Sequence, residues 1–432
     1  MFSSIKIRLA NFIRNKIILY ANRKGITIKI ERAFFSGLNL NLVKVALFNK
    51  AEDAIIEMDK LTFRILYWRT LCNISLVGEL ESHNLSSNWN VISDKTFIIR
   101  HLDIAFKLRN KNKIIFNIEI DNISSLLFFH KTKKNIELYF DLPSITWDDI
   151  IEICQEHFYF KYLQSLESSD KITLIAYVKK YLSSQQVPFF NAKIESDNFL
   201  LKYKNSNEVE LINNDFLLKA LYKKRGNEFQ SNYIAFGEIP IQLINAIVCT
   251  EDPNFWEHPG IDFFFIGYAL GSNIKSNKIT RGASTITMQL VRNLFLHHDR
   301  TIMRKLEETI ITILLENYFK IDKKTIFELY INIIEFAPEI YGIKNVSSFY
   351  FNKTPSELTL IENLVLTYII PRPKHFLEAL ESGSNQLNQN LRKHINMYSN
   401  VMLNKKLITL EDYNNIGQQI VFSKTFGILD LI

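Results

Sequence analysis

Residues 281–296 read Arg281-Gly282-Ala283-Ser284-Thr285-Ile286-Thr287-Met288-Gln289-Leu290-Val291-Arg292-Asn293-Leu294-Phe295-Leu296. The glycine and alanine loosen the chain, and Ser284 then offers a hydroxyl to the first free N–H groups of a helix, so it is the expected N-cap. Thr285, Gln289 and Arg292 follow at i, i+4 and i+7, which stacks them on one helical face, while Ile286, Leu290, Leu294 and Phe295 fill the rest. A helix start bearing a hydroxyl, an amide and a cation can hold an anion such as a phosphate. Taken alone, the same stripe also fits a solvent-facing surface. The polar run Ser272–Ala283 just upstream fits either a cover over a cleft or a linker.

Outward from this stretch, the chain from about residue 240 carries long helical patterns. Ile239–Cys249 is apolar and delivers Glu251 and Asp252 to a helix end ahead of Pro253. A carboxylate emerging from an apolar segment is partly desolvated, which raises its pKa and suits it to accept a proton. Phe255 and Trp256 supply apolar mass for the turn that follows, and His258 can bond a backbone group or carboxylate there. Downstream, Ile302–Phe319 is a long helical pattern containing Arg304-Lys305-Leu306-Glu307-Glu308. Arg304 and Glu308 share a face at i, i+4. The plain reading is an exposed ion pair; the chemical one is a cation pair that neutralises a leaving pyrophosphate, with Glu308 holding a divalent cation or orienting the donor.

The first half of the chain has a different texture. Ile26, Ile28 and Ile30 alternate with Thr27, Lys29 and Glu31, and Leu38, Leu40 and Leu42 with Asn39 and Asn41. Alternation of this kind marks strands with one apolar face. It recurs at Leu61–Ile65, Phe97–Phe106, Ile114–Ile120, Ile136–Phe140 and Asn191–Tyr203. Helical periodicity is expected between Trp147 and Leu182, and a linker at Lys204–Asn214. The fold class is therefore α+β multidomain, with a β-rich N-terminal region followed by a mainly helical domain. The expected divisions are 1–20, 21–225, 226–415 and a C-terminal tail at 416–432.

The 432 residues, with 47% hydrophobic and 22% charged, suffice for several packed domains and exclude wholesale disorder. Thirteen glycines and nine prolines exclude collagen-like and low-complexity chains. Three scattered cysteines, Cys72, Cys154 and Cys249, form no zinc spacing and no disulfide framework. Lys+Arg exceed Asp+Glu by 52 to 45. Residues 240–380 hold 14 Lys/Arg against 15 Asp/Glu, so the basic excess lies on the flanks. It is dispersed among strands, which argues against a nucleic-acid partner. No apolar run is long enough for an ordinary transmembrane helix. Met1–Tyr20 carries Lys6, Arg8, Arg14 and Lys16 among Ile5, Ile7, Leu9, Phe12, Ile13 and Ile17. That basic amphipathic pattern suits either a surface helix or one lying on an anionic membrane.

In order and spacing the motifs resemble the peptidoglycan glycosyltransferase family, glycosyltransferase family 51, found in bifunctional penicillin-binding proteins and monofunctional transglycosylases. The matching residues are Glu251-Asp252-x-x-Phe255-x-x-His258-x-Gly260, then Gly282-x-Ser284-Thr285-Ile286-Thr287-x-Gln289-Leu290-x-x-Asn293, then Arg304-Lys305-x-x-Glu308. Phe327-Glu328-Leu329-Tyr330-Ile331-Asn332, Tyr341-Gly342-Ile343, Tyr350-Phe351-x-Lys353 and Leu358-Thr359-Leu360-x-Glu362 complete the series, over about residues 240–415.

The resemblance implies a lysozyme-like catalytic domain that polymerises lipid II with inversion at the donor's anomeric carbon. It casts Glu251 as general base, with Glu308 the second catalytic carboxylate and the possible ligand of Mg2+ or Mn2+. Arg304 and Lys305 would stabilise the leaving group, and Thr285, Gln289 and Arg292 would contact the donor. Asp252 and Ser284 would support the substrate side, with Phe255 and His258 structural parts of the turn. It further implies a role in cell-wall biogenesis and cell shape at the periplasmic face of the cytoplasmic membrane. Its partners would be lipid II, the growing glycan strand, the membrane surface and other cell-wall synthesis proteins.

Three departures stand out: Arg292 replaces the family's lysine, and Ala337 and Asn352 replace glycines. Asn352 suits a left-handed backbone, whereas Ala337 points to a reshaped loop. No transpeptidase is expected, since K-T-G is missing from the sequence. Gly25–Phe48 also resembles the start of AsmA-type envelope proteins, implying a curved sheet with an apolar groove. Two other functions compete. One is a non-catalytic lipid-binding envelope protein with a degenerate core. The other is a glycan-cleaving enzyme, against which the cation pair Arg304-Lys305 speaks.

Overall fold

The computed structural model describes residues 2–23, 26–36, 39–48, 54–69, 75–87, 97–110, 113–120, 123–154, 163, 166–168, 171–181, 189–196, 202–203, 214–225, 231–262, 265, 284–297, 299, 301–416, 419–423, 426 and 428–430. The chain forms two compact units. The first holds Met1–Val209, Phe263–Ala283 and Asp299–Glu307; the second holds Glu210–Asp262, Ser284–His298 and Glu308–Ile432.

Helix α1 (Phe2–Arg23) opens the first unit, followed by β1 (Thr27–Ser36), β2 (Asn39–Phe48), β3 (Ala54–Arg69), β4 (Ser75–Ser87) and β5 (Phe97–Asn110). Strands β6 (Lys113–Ile120), β7 (Ile123–Lys131), β8 (Asn135–Thr146), the short helix α2 (Trp147–Cys154), β9 (Leu166–Glu167), β10 (Lys171–Tyr181), β11 (Phe189–Ser196) and β12 (Lys202–Tyr203) continue it. Ten strands make one antiparallel sheet in the order β1-β2-β3-β4-β5-β6-β7-β8-β10-β11, while β9 pairs with β12.

The alternation read from sequence sets this sheet's two faces. Directly paired residues share a face, so Phe116, Leu127 and Phe140 form one apolar row across three strands. The opposite face carries His130, Glu137 and Lys179, joined by contacts of 3.4 and 3.1 Å to the glutamate. At the β1 end, α1 covers the sheet: Ala10, Ile13, Ile17 and Ile18 pack with Ile30, Ala33, Leu40, Leu42 and Val45.

The expected helix between Trp147 and Leu182 is corrected here. Among the described residues of that span Trp147–Cys154 is α-helical, but Lys171–Tyr181 is a strand paired on both sides. Its Ile172, Thr173, Ile175, Tyr177 and Val178 are β-branched or aromatic, residues that fit a pleated surface between two neighbours. The linker expected at 204–214 lies almost wholly outside the described residues.

The second unit comprises α3 (Asn214–Arg225), α4 (Ile241–Glu251), α5 (Ile286–Phe295), the Glu308–Ile313 end of α6 (Ile302–Ile313), α7 (Lys323–Ile333), α8 (Ile343–Val346), α9 (Leu360–Ile369), α10 (Pro373–Glu381), α11 (Asn385–Asn404) and α12 (Leu410–Asn414). Two hairpins join them: β13 (Glu335–Ala337) with β14 (Ile340–Tyr341), and β15 (Gln419–Val421) with β16 (Ile428–Asp430). Helix α3 thus lies with the helical unit, upstream of the division drawn after residue 225. Residues 416–432, expected as a tail, contribute a hairpin whose neighbour Phe422 is buried and stacked on Phe351 at 5.5 Å. The pattern Ile302–Phe319 is α-helical only to Ile313 and then widens into a π turn, Leu314–Tyr318.

Helix α4 is the centre of this unit. Leu243, Ile244, Ala246, Ile247, Val248 and Cys249 are all buried, and the helix packs on α9 and α11. A helix apolar around most of its circumference belongs in a core. Among the described residues no helix is long and apolar enough to cross a membrane.

Candidate active site

Glu251 is the last residue of α4, where Pro253 prevents the helix from continuing. The next residue, Asp252, is 3% exposed and turns inward. Both of its oxygens lie 3.0 Å from His258 Nε2, and Oδ2 also accepts the Ile286 N–H at 3.0 Å. A carboxylate there satisfies an orphan donor at the positive end of α5. Asp252 therefore ties the end of one helix to the start of another, with His258 as its brace.

Thr285, not Ser284, caps α5: its hydroxyl accepts from Met288 N–H at 3.2 Å and donates to the Gly260 carbonyl at 2.6 Å. The second bond anchors the cap at Thr285, one residue after the expected position. Gly260 adopts φ +91°, and a Cβ there would come within 3.0 Å of the Thr312 methyl and 3.2 Å of its carbonyl oxygen. Glycine at this motif position is thus required twice, by backbone angle and by space. Thr285 has spent its proton on Gly260, and Ser284 remains half-buried ahead of it.

One turn into α5, Gln289 is 8% exposed and its Nε2 donates to Glu251 Oε2 at 2.9 Å. The amide's other atom, Oε1, accepts from the hydroxyl of the fully buried Tyr330 on α7 at 3.3 Å. That second bond fixes the amide's orientation, so Glu251 faces N–H and not C=O. Burial raises the Glu251 pKa; the Gln289 hydrogen bond and the charges of Arg292 and Arg372 pull it down, while Asp252 pushes it up. Burial is the larger influence and the net direction is upward. The side chain keeps partial exposure, so the acid is desolvated yet reachable. The Tyr330 hydroxyl is pushed well above its ordinary value by burial first and Glu251 second, and stays a neutral donor.

The motifs around this centre serve as scaffold. Lys323 bonds Glu316 at 2.7 Å and lies over the Phe255 ring at 4.5 Å. Phe255 is fully buried and packs edge-on against Trp256 at 4.8 Å. Asn332 holds Ile234 through both its amide atoms, at 3.0 and 2.8 Å, and Glu328 accepts the Phe236 N–H at 2.7 Å. Lys353 pairs with the buried Glu362 at 2.8 Å, which in turn closes the capping box of α9 with Thr359. Asn352 is left-handed at φ 53°, as its side chain permits. Ala337 is buried in β13, opposite Ile340, where the hairpin pairing shifts register between Glu335 and Ala337.

The structure brings Glu251, Gln289 and Arg292 together and sets Asp252, Thr285, Phe255 and His258 around them. Glu308 is fully buried on the stretch of α6 that belongs to this unit. Arg304 and Lys305 sit earlier on the same helix, in the other unit, where Arg304 Nε donates to the Asp299 carbonyl. Sequence reasoning quoted Tyr330 without a role and missed Arg372. The latter is exposed between Pro371 and Pro373, with its guanidinium 4.8 Å from the Tyr368 ring centre. An arginine locked between prolines at the end of an apolar helix was the available signal.

Residues 218–398 match the family described as Transglycosylase. The biosynthetic peptidoglycan transglycosylase of Acinetobacter baylyi is 36% identical over 163 residues, 38% of this chain and 72% of that protein. Penicillin-binding protein 1F of Bacillus subtilis is 38% identical over 169 residues, and penicillin-binding protein 1A of Aquifex aeolicus 42% over 144. The latter two alignments take in 38% and 33% of this chain, but only 23% and 20% of those longer relatives.

Proposed function

Because the chain belongs to the transglycosylase family, we propose that it is a peptidoglycan glycosyltransferase joining lipid II units into glycan strands outside the cytoplasm. The observation that carries this reading is Glu251: a carboxylate of raised pKa, still open to solvent, held through Gln289 by a buried tyrosine. A sugar hydroxyl is a weak nucleophile, and a desolvated carboxylate is the group that can take its proton as it attacks.

In the proposed step Glu251 accepts the proton of the acceptor sugar's 4-hydroxyl. The oxygen bonds to the donor's anomeric carbon from the side opposite the leaving group. The bond from that carbon to the polyprenyl pyrophosphate breaks, its electron pair departing with the phosphate, and the configuration inverts. Gln289 keeps the carboxylate aimed, and the charges of Arg292 and Arg372 favour its ionised form against its burial. The motif Arg304-Lys305-x-x-Glu308 supports a role for those side chains in offsetting charge on the departing pyrophosphate. A lysozyme-like topology for the helical unit belongs to the same reading.

Among the described residues no three His, Cys, Asp or Glu side chains gather to hold a metal ion. Glu308 is a single carboxylate with no exposure, so it would hold Mg2+ or Mn2+ only if the site opened to it and substrate phosphates supplied most of the oxygens. Such a cation, when bound, would neutralise part of the diphosphate charge.

The test is to incubate the purified chain with lipid II and magnesium in detergent and resolve the products by length. Polymer is expected from the wild type, with Glu251→Gln lowering the rate by about 10²–10⁴-fold while the fold is kept. Wild-type protein that yields no polymer, or a variant that polymerises normally, overturns the proposal.

A further inference from the structure

Helix α1 has two apolar faces, and the fold uses only one. Ala10, Ile13, Ile17 and Ile18 are committed to the sheet cluster, and Arg14 donates to the Glu31 carbonyl at 3.1 Å. The helix is therefore pinned in rotation. On its outer side Ile5, Leu9, Phe12 and Tyr20 are 56, 49, 58 and 66% exposed, with Leu19 between them. At 3.6 residues per turn these five fall within one stripe running the length of the helix. A surface helix of a soluble domain shows the reverse, polar residues outward.

The charges around the stripe have one sign. Lys6, Arg8, Lys16 and Arg23 are all exposed, and the helix holds no aspartate or glutamate. Lys16 shares the angular range of the stripe and reaches back over the Phe12 ring at 5.4 Å, so its stem lies along the apolar side chains, and a long side chain of this kind can carry its charge past them to the headgroups. Two copies of this face would set like charges against each other, which disfavours self-pairing. An anionic bilayer offers what the stripe lacks: hydrocarbon for the apolar side chains and phosphates for the cations.

We propose that the outer face of α1 docks the chain onto an anionic lipid bilayer, lying in the plane of the surface. Ile5, Leu9, Phe12 and Leu19 enter the acyl boundary, while Lys6, Arg8, Lys16 and Arg23 meet the headgroups. This goes beyond the glycosyl transfer and does not depend on it.

The experiment is flotation of the full chain with vesicles of phosphatidylcholine alone or with phosphatidylglycerol, in low and high salt. Wild type is expected to float with the anionic vesicles and to lose most of that binding in high salt. Leu9→Ser with Phe12→Ser, both exposed and so compatible with folding, should weaken binding at least about tenfold. Lys6→Gln with Arg8→Gln and Lys16→Gln should erase the preference for phosphatidylglycerol. A circular dichroism melt checks that each variant folds, and detergent-phase polymerisation of lipid II should be unchanged. If the apolar variant floats like the wild type, another surface holds the membrane and the proposal fails. It fails equally if wild type ignores both vesicles, or sediments as a dimer that the apolar variant dissociates.

Discussion

The sheet unit and the helical unit use apolar side chains in opposite ways. In the helical unit α4 buries six residues, and Phe255, Phe327, Tyr330 and Tyr350 have no exposure at all. In the sheet, no residue of β6 or β7 is fully buried, although their apolar rows are continuous from strand to strand. One unit is held by interlocked side chains around a centre, the other by a backbone ladder with cross-strand pairs on a single layer. Only the first kind can desolvate a glutamate and fix the amide beside it. The placement of the acid thus follows from how each unit packs.

The comparison predicts unequal costs for the same substitution. Phe255→Ala should destabilise the helical unit by about 3–5 kcal/mol, because a void there cannot refill. Phe129→Ala on the half-exposed sheet face should cost about 1 kcal/mol. Urea unfolding of both variants measures this, and equal costs would mean that the sheet face is covered as closely as the helical core.

Acid should separate the units next. Burial, helped by Arg372, lowers the His394 pKa to about 4. An unfolded histidine binds its proton near pH 6.5, so between those values the unfolded chain holds a proton that the folded one does not. Stability of the helical unit should therefore be complete above about pH 6.5 and fall by roughly 3 kcal/mol as pH drops through 4. His394→Gln should flatten that slope in pH-dependent melts; an unchanged slope would assign it to other groups.

The smallest effect sharpens the role of Arg372. Its charge helps to lower the Glu251 pKa against burial. Arg372→Ala should move the acid limb of the kcat/KM profile to higher pH, more at low salt than at high salt. A limb that stays in place would show that Arg372 does not act on Glu251.

Much of the second unit was readable because its motifs are local. Asn352 in a left-handed cap and the Thr359–Glu362 capping box are dictated within a few residues. The strands were readable for the same reason, since a period of two needs only five or six residues to show. Lys171–Tyr181 was misread because a short apolar run fits both periods until its neighbours are known. Ser284 and Thr285 are equal as caps by residue type, and the bond that anchors Thr285 comes from Gly260, 25 positions away in sequence.

The sequence by itself settled the residue types and their order: a carboxylate ending an apolar helix, a polar stripe on the next, and alternating strands before them. Periodicity and capping are properties of neighbouring residues, and they survive without the rest of the chain. Tertiary structure alone decided that Gln289 meets Glu251, that Tyr330 orients it, and that one face of α1 is left outward. Those outcomes depend on distances between segments far apart in sequence, and on which of them exclude water.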